Sequence, residues 1–445
     1  LLPCRAGPLC RRTLNCQVFT ARSNINPPVV LERGRVYPFV DMQGVDPTSR
    51  TVDPSEFREF TGGGSRFSVG DTLMARITPC LENGKIARFR SDDAGPVGHG
   101  STEFIVIRGR EGVTDTDFAY YLTRWEEVRG YAVSQMTGTS GRQRVPTSAL
   151  SHLEVPVPPL PEQRAIANIL GTLDDKIELN RRMCQTLEGI ARAIFQSWFV
   201  DFGPVQAKAA GAKRFRGMPQ TVFDTLPAAF TDSPLGPIPT GWTVRPIGEV
   251  VDVVGGGTPS TEEPAYWEGG THAFCTPKDM AGLTAPVLLK TERCLTDAGV
   301  ARVSSGQLPP GTVLLSSRAP IGYLAIAEIP VSVNQGIIAM RCPREIPNLY
   351  VLLWAQANMD RIEANANGST FQEISKRNFR SIPMLVPDRR CLAAFGGAVE
   401  AMYRRIVAAQ KQNRSLAAIR DALLPKLVSG EIRIKDAERI VGRCA

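Results

Sequence analysis

Two loop words hold the side chains best suited to a recognisable chemistry. Gly138-Thr139-Ser140-Gly141-Arg142-Gln143-Arg144 and Gly368-Ser369-Thr370-Phe371-Gln372-Glu373 place hydrogen-bonding groups behind a permissive glycine. Such groups could serve hydrogen-bonded recognition. A guanidinium can pair bidentately with a guanine edge and a carboxamide with adenine, each worth about 1–3 kcal/mol of discrimination. Other chemistry is poorly supplied. The only histidines are His99, His152 and His272, against a His-rich metal site or a His-dependent multistep enzyme. The ten cysteines stand at 4, 10, 16, 80, 184, 275, 294, 342, 391 and 444 and form no C-x-x-C pair, against a structural zinc. Such scattered cysteines read as reduced thiols of a cytosolic protein. Gly255-Gly256-Gly257-Thr258 lacks the Gly-Lys-Ser/Thr ending of a phosphate-cradling loop.

The two loop words belong to a repeat. Val145 matches Ile374 at an offset of 229 (374 less 145), and the same offset relates Leu150 to Phe379, Leu153 to Ile382, Pro158 to Pro387, Leu187 to Leu416 and Ile190 to Ile419. Earlier, Gly70 and Pro79 match Gly311 and Pro320 at 241. Phe104, Ile107 and Arg108 match Ile337, Met340 and Arg341 at 233. Each copy follows one plan: a strand-rich domain, with β-type runs such as Glu103 to Arg108 and Gly336 to Arg341, then a long helix.

The helices carry heptads. In 162–198, Leu170, Ile177, Cys184, Ala191 and Trp198 alternate with Leu173, Asn180, Leu187 and Ile194. In 391–427, Val399, Ile406, Asn413, Arg420 and Leu427 alternate with Met402, Ala409, Leu416 and Leu423. Each seam contains polar residues, which lower stability but can fix register and partner. The seams most simply pack on each other; at about 1.5 Å per residue the 162–198 helix would reach roughly 55 Å. Two amphipathic helices, each packed on its own domain, remain the alternative. Residues 203–241, punctuated by Gly and Pro, read as an extended connector. Its Lys208, Lys213, Arg214 and Arg216 read as solvated charge, with DNA-backbone contact as the alternative.

The 445 residues are 43% hydrophobic and 22% charged, enough for a sizeable core. At roughly 150 residues per domain they allow about three units, or two large ones. The net charge of +8 and pI near 9.0 fit a polyanion binder and many ordinary soluble proteins alike. Arg318 interrupts the most apolar stretch, 313–327, so no run reaches a membrane span. Leu1 to Arg12 makes a poor signal peptide.

The residues then resemble a family. Pro161-Glu162-Gln163-Arg164, Ile169-Leu170-Gly171, Asp174-Asp175-Lys176-Ile177 and Ser197-Trp198-Phe199-Val200-Asp201-Phe202 resemble the central conserved region of type I restriction–modification specificity subunits. Gly236 to Trp242 resembles the entry to their second target-recognition domain. Gly255 to Ser260, Thr276-Pro277-Lys278-Asp279, Ser317-Arg318-Ala319-Pro320-Ile321-Gly322, Asn334-Gln335-Gly336 and Gly368 to Phe371 resemble one recognition-domain lineage. Arg76 to Lys85, Gly100-Ser101-Thr102-Glu103-Phe104 and Gly138 to Val145 resemble another. Leu423 to Ile432 closes the pattern, which covers about 35–435. Residues 1–33 depart from it. They lack the Trp and Gly-Glu turn expected before the first strand, which reads as a truncated or shifted start and puts the folding of the first recognition domain in question.

The resemblance implies an α+β fold: two tandem strand-rich target-recognition domains, each followed by a long helix, the helices pairing as an antiparallel coiled coil. The expected divisions are an atypical segment 1–33, a first recognition domain 34–160, a central helix 161–202, a linker 203–234, a second recognition domain 235–389, a C-terminal helix 390–432 and a tail 433–445. It implies a non-catalytic cytoplasmic subunit with no cofactor, no metal and no membrane contact. Its partners would be double-stranded DNA, two methylation subunits and, in the full complex, restriction subunits. Each domain would read half of a split target. Candidate DNA contacts in the first copy are Thr78, Asn83, Lys85, Ser101, Thr102, Ser140, Arg142, Gln143 and Arg144. In the second they are Thr258, Ser260, Lys278, Ser317, Arg318, Asn334, Gln335, Ser369, Gln372, Lys376 and Arg377. The alternative for many of these is turn stabilisation, and Arg318 could be an internal ion-pair partner. The expected helix seam is Leu170, Leu173, Ile177, Asn180, Leu187, Ile194, Val399, Met402, Ile406, Leu416 and Leu423.

Two other classes stay in view, a single-chain methyltransferase or nuclease and a coiled-coil scaffold that reads no sequence. Asn26-Pro27-Pro28-Val29 nearly copies the N-P-P-aromatic word of adenine methyltransferases, but the aromatic that would stack on a flipped base is missing. It reads as a proline-rich turn.

Overall fold

A computed structural model describes residues 16–18, 23–91, 95–139, 141–150, 153–368 and 372–442. The chain divides into two compact units, Leu1–Leu179 with Asn413–Ala445, and Asn180–Gln412.

The first unit has eleven strands among its described residues: β1 Cys16–Val18, β2 Ser23–Ile25, β3 Val36–Val40, β4 Thr51–Val52, β5 Glu56–Glu59, β6 Ser65–Ser68, β7 Thr72–Ala75, β8 Ile86–Phe89, β9 Val97–Gly100, β10 Phe104–Gly109 and β11 Glu154–Pro156. The larger sheet runs β2-β10-β7-β8-β4 and the smaller β5-β3-β9-β6; β1 pairs with β11. Neighbours are antiparallel except β4 with β8 and β3 with β9. The central strands read as unbroken apolar runs because both faces are covered. Successive side chains on a strand point to opposite faces, and the two faces feed different cores. Met74, Ile105 and Ile107 pack with the helices, whereas Leu73, Phe104 and Val106 pack with Val40, Phe67 and Phe89 beneath the smaller sheet.

The second unit repeats the plan with β12 Phe230–Thr231, β13 Ile238–Pro239, β14 Thr243–Pro246, β15 Asp252–Gly255, β16 His272–Cys275, β17 Val287–Leu288, β18 Arg293–Leu295, β19 Val313–Ser317, β20 Ile321–Ala327, β21 Val331–Val333, β22 Ile337–Arg341 and β23 Pro383–Val386. Its sheets run β15-β22-β19-β20-β17 and β18-β16-β21, and β14 pairs with β23. The parallel pairs recur in the same places, β17 with β20 and β16 with β21. The split of alternate residues recurs too: Val313, Leu315 and Met340 face one core, Leu314, Ile337 and Ala339 the other. The Thr78–Pro79 and Ala319–Pro320 bonds, 241 apart, are both cis.

The repeat extends to the front of the chain. Despite lacking the expected words, the N-terminal segment supplies β1 and β2, which pair with β11 and β10 as β14 and β15 pair with β23 and β22. Pairing in a sheet is made by backbone groups, so side-chain words can be lost without losing the strand.

Long helices span Leu160–Phe195 and Arg389–Val428. In the first unit Leu170, Leu173 and Ile177 share a core with Leu416, Leu423 and Leu427. In the second, Cys184, Leu187, Ala191 and Ile194 share one with Val399, Ile406 and Ala409, and Met402 is half-buried. The polar contacts set direction: Asp174 meets Arg420, Asn180 meets Gln412 and Cys184 meets Gln410, so one number falls as the other rises. The pairing is antiparallel. Asn180 donates from Nδ2 to Gln412 Oε1 at 2.8 Å, which satisfies the buried amide. Arg420, 6% exposed, donates from Nη1 to Asp174 Oδ1 at 2.6 Å, and Tyr121 donates its hydroxyl proton to Asp174 Oδ2 at 2.7 Å.

The conserved-looking words acquire packing roles. Gln163, fully buried, accepts from Asp115 N and donates to the carbonyls of Val113 and Pro158, tying the start of the first long helix to its domain. Trp198 and Phe199 sit in a π-helical turn, Gln196–Val200, and join Phe195, Tyr350 and Phe395 in an aromatic cluster. One expectation is corrected. The stretch 203–241 is not an extended connector: it forms helices at Gly203–Ala209 and Gln220–Phe223. Its Val205, Met218, Phe223 and Leu226 are buried in the second unit's core. Glycine and proline punctuation marks the turns, and the buried apolar residues recur at no regular spacing that would reveal them. Lys208 donates to the carbonyls of Phe223, Asp224 and Leu226, a structural use of that charge.

Candidate nucleic-acid interface

In each unit a loop is clamped to the end of a central strand. In the first, Thr137 and Arg144 exchange backbone hydrogen bonds at 3.0 and 2.8 Å, closing a hairpin. Val145 N then donates to Arg76 O at 2.8 Å and Thr78 N to Gln143 O at 3.0 Å, docking it beyond β7. Gly138 holds φ +128, where a Cβ would meet Arg142 O at 3.1 Å; only glycine fits comfortably. In the second unit Asn367 and Glu373 exchange the same bonds at 2.9 and 3.0 Å, and Ile374 N donates to Ser317 O at 3.0 Å. Positions 144 and 373 stand at the repeat offset of 229, so the two loops are one construction used twice.

Side chains at the clamp are charged. Arg144 grips Glu103 with Nη2–Oε1 at 2.7 Å and Nε–Oε2 at 3.0 Å, and its Nη1 donates to Arg142 O at 3.3 Å. The hydrogen bond to Glu103, with its charge, holds the Arg144 guanidinium above its ordinary pKa. In the second unit Arg318 lies 3.6 Å from Glu373, the internal ion pair that was its alternative reading.

The nominated residues separate into exposed and engaged groups. Arg142, Asn83 and Thr102 are exposed, and Gln143 is half-buried on the same loop as Arg142. Thr78 is half-buried, its hydroxyl 3.3 Å from Met136 Sδ. Lys85 donates to Met42 O at 2.7 Å, and Ser101 Oγ accepts from Glu103 N at 3.2 Å. In the second unit Ser260, Gln335, Gln372, Lys376 and Arg377 are exposed. Thr258 donates to Gln335 Oε1 at 2.7 Å, and Asn334 Oδ1 accepts from Gly336 N at 3.0 Å. Lys278 pairs with Glu292 at 2.8 Å, and that bond raises its pKa. Ser317 is 2% exposed and lies within β19, where its N donates to Gly336 O and its O accepts from Ile374 N. Ser140 and Ser369 lie outside the described residues.

The sequence alone does not pair Glu103 with the loop residue Arg144, or the loop residue Glu373 with Arg318. The signal was faint, since each acid lies in a turn word and pairing across loops leaves no periodicity. Two other words resolve structurally. A Cβ on Gly256 would lie 1.5 Å from Val333 O, so the middle glycine of the triplet serves close backbone approach. Asn26 accepts from Val106 N through Oδ1 at 2.9 Å while its own N donates to Val106 O at 2.7 Å, a strand-end clasp beside β10. His272 pairs with exposed Asp297 at 2.8 Å.

The family model described as type I restriction modification DNA specificity domain matches residues 81–189 and 239–389, more than half of the chain. The chain is 26% identical over 404 residues to the type I restriction enzyme HindI specificity subunit of Haemophilus influenzae, covering 82% of this chain and 86% of that one. It is 35% identical over 161 residues to the MjaIX specificity subunit of Methanocaldococcus jannaschii, covering 36% and 37%. A crystal structure of a type I restriction–modification S subunit from M. genitalium aligns over 92% of this chain and 95% of that one, at 16% identity and a TM-score of 0.48.

Proposed function

The chain belongs to the type I restriction–modification DNA specificity family, a specificity subunit with two target-recognition domains, and from that premise we propose that it reads a split, asymmetric DNA target, one half per domain. The observation that carries this reading is the doubled loop clamp bearing unlike side chains. One construction with Arg142 and Gln143 on one copy, and Gln372, Lys376 and Arg377 on the other, suits two different base sequences. Thr78, Asn83, Thr102, Thr258, Ser260, Asn334 and Gln335 flank these loops as further contacts to bases or phosphates. The paired helices set the gap between half-sites and dock two methylation subunits, with restriction subunits joining the full complex. The subunit works in the cytoplasm and performs no chemistry of its own.

The test is methylation-sensitive sequencing of DNA from cells expressing the chain with its partner subunits. A bipartite motif with unlike halves is expected; one continuous palindrome would sink the reading. Methyl transfer by the purified chain without partners would contradict the non-catalytic role.

A further inference from the structure

The ion pairs at the two loop clamps share one repeat position, 144 and 373, which carries opposite charge in the two copies and finds its partner at a different strand end in each. In the first unit the loop carries the cation: Arg144 reaches Glu103 on the turn entering β10, 2.7 Å away. In the second the loop carries the acid: Glu373 meets Arg318 beyond β19, 3.6 Å away. Both loop positions also make the backbone bridges to residues 137 and 77, or 367 and 318. A base reader gains nothing from carrying opposite, internally paired charges at one repeat position. An anchor does, because either polarity holds a loop equally well. Arg144 spends Nε and Nη2 on Glu103 and Nη1 on Arg142 O, so its planar fork is committed within the protein.

We infer that Arg144–Glu103 and Arg318–Glu373 are latches, positioning pairs that fix each recognition loop on its sheet so that neighbouring side chains meet base edges. The inference rests on the DNA-reading function proposed above. It reassigns Arg144 and Arg318 from reading to positioning and leaves Arg142, Gln143 and Gln372 as readers. The Arg144–Glu103 pair is 44% and 22% exposed, so its loss should disturb the loop and leave the global fold nearly unchanged.

The experiment uses the full chain assembled with its methylation subunits and a DNA library randomised at both half-sites, with thermal unfolding measured in parallel. Glu103→Gln and Arg144→Met should each relax preference at one half-site about tenfold, the worth of one good base contact, with the other half-site and the unfolding midpoint unchanged. Arg318→Met should relax the opposite half-site. The charge-swapped double variant E103R/R144E should restore the first. Two results overturn the latch: Glu103→Gln keeps the parental preference while Arg144→Met loses it, which makes Arg144 a reader, or the swap fails to restore preference at an unchanged midpoint. A parental complex with no sequence preference would instead overturn the DNA-reading function.

Discussion

At the residue scale one ion pair is deeply buried. Arg420 and Asp174, 7% and 4% exposed at their side chains, meet at 2.6 Å, with Tyr121 on the second carboxylate oxygen. Burial pulls the Arg420 pKa down, but the nearby carboxylates more than offset it and leave it above its ordinary value. Removing one partner strands the other charge, so Asp174→Ala should cost about 3–5 kcal/mol in urea unfolding, whereas replacing both by apolar residues of similar volume should cost far less. His99 gives a pH signature. It is 3% exposed, packed edge-on against Phe39 and Phe60, and burial lowers its pKa from 6.5. The unfolded chain therefore takes up this proton first, and stability falls as pH drops below about 6.5. His99→Gln should flatten the acid side of the stability profile; an unchanged slope would assign that loss to other groups. Heptad spacing made Arg420 legible as a polar seam residue. Its partner was not legible, because Asp174 belongs to the other helix and only the antiparallel register brings them together.

At the element scale the helices were legible and the loops were not. A 3.6-residue period is strong over 30 residues, and the seam positions Leu170, Leu173, Ile177, Ile406, Leu416 and Leu423 are buried. Asn180 and Gln412 satisfy each other, and such a pair selects register at a cost in stability. Asn180→Leu with Gln412→Leu should raise the unfolding midpoint while loosening the helix register, seen as broadened spacing tolerance in the methylated motif. Inserting one heptad in both helices should lengthen the gap between half-sites and leave their bases unchanged. Altered half-site bases with an unchanged gap would contradict the spacer role. The stretch 203–241 reads as a connector because Gly and Pro punctuate it, while burial depends on where Val205, Phe223 and Leu226 point.

At the molecular scale the repeat is a statement about topology more than about words. Two sheets per unit, two parallel pairs in matching places and the doubled loop clamp survive where side-chain words differ. Backbone pairing tolerates replacement; recognition uses it. The net charge of +8 on 445 residues is modest, so specific binding should depend on salt chiefly through the assembled complex. The slope of log affinity against log salt should be steeper for the complex than for the isolated chain, as measured by fluorescence anisotropy; equal slopes would assign the phosphate contacts to this chain alone.

The first unit also has an unusual birth order. Leu416, Leu423, Leu424, Leu427, Val428, Ala437 and Val441 complete its core, yet they are translated only after the whole second unit. Domains generally fold as they emerge, N-terminal first. Here the second unit, contiguous from 180 to 412, closes before the first can. A premature stop just after 412 would spare the downstream recognition domain and cripple the upstream one, and a nascent first unit must wait, half-built, for its own last helix.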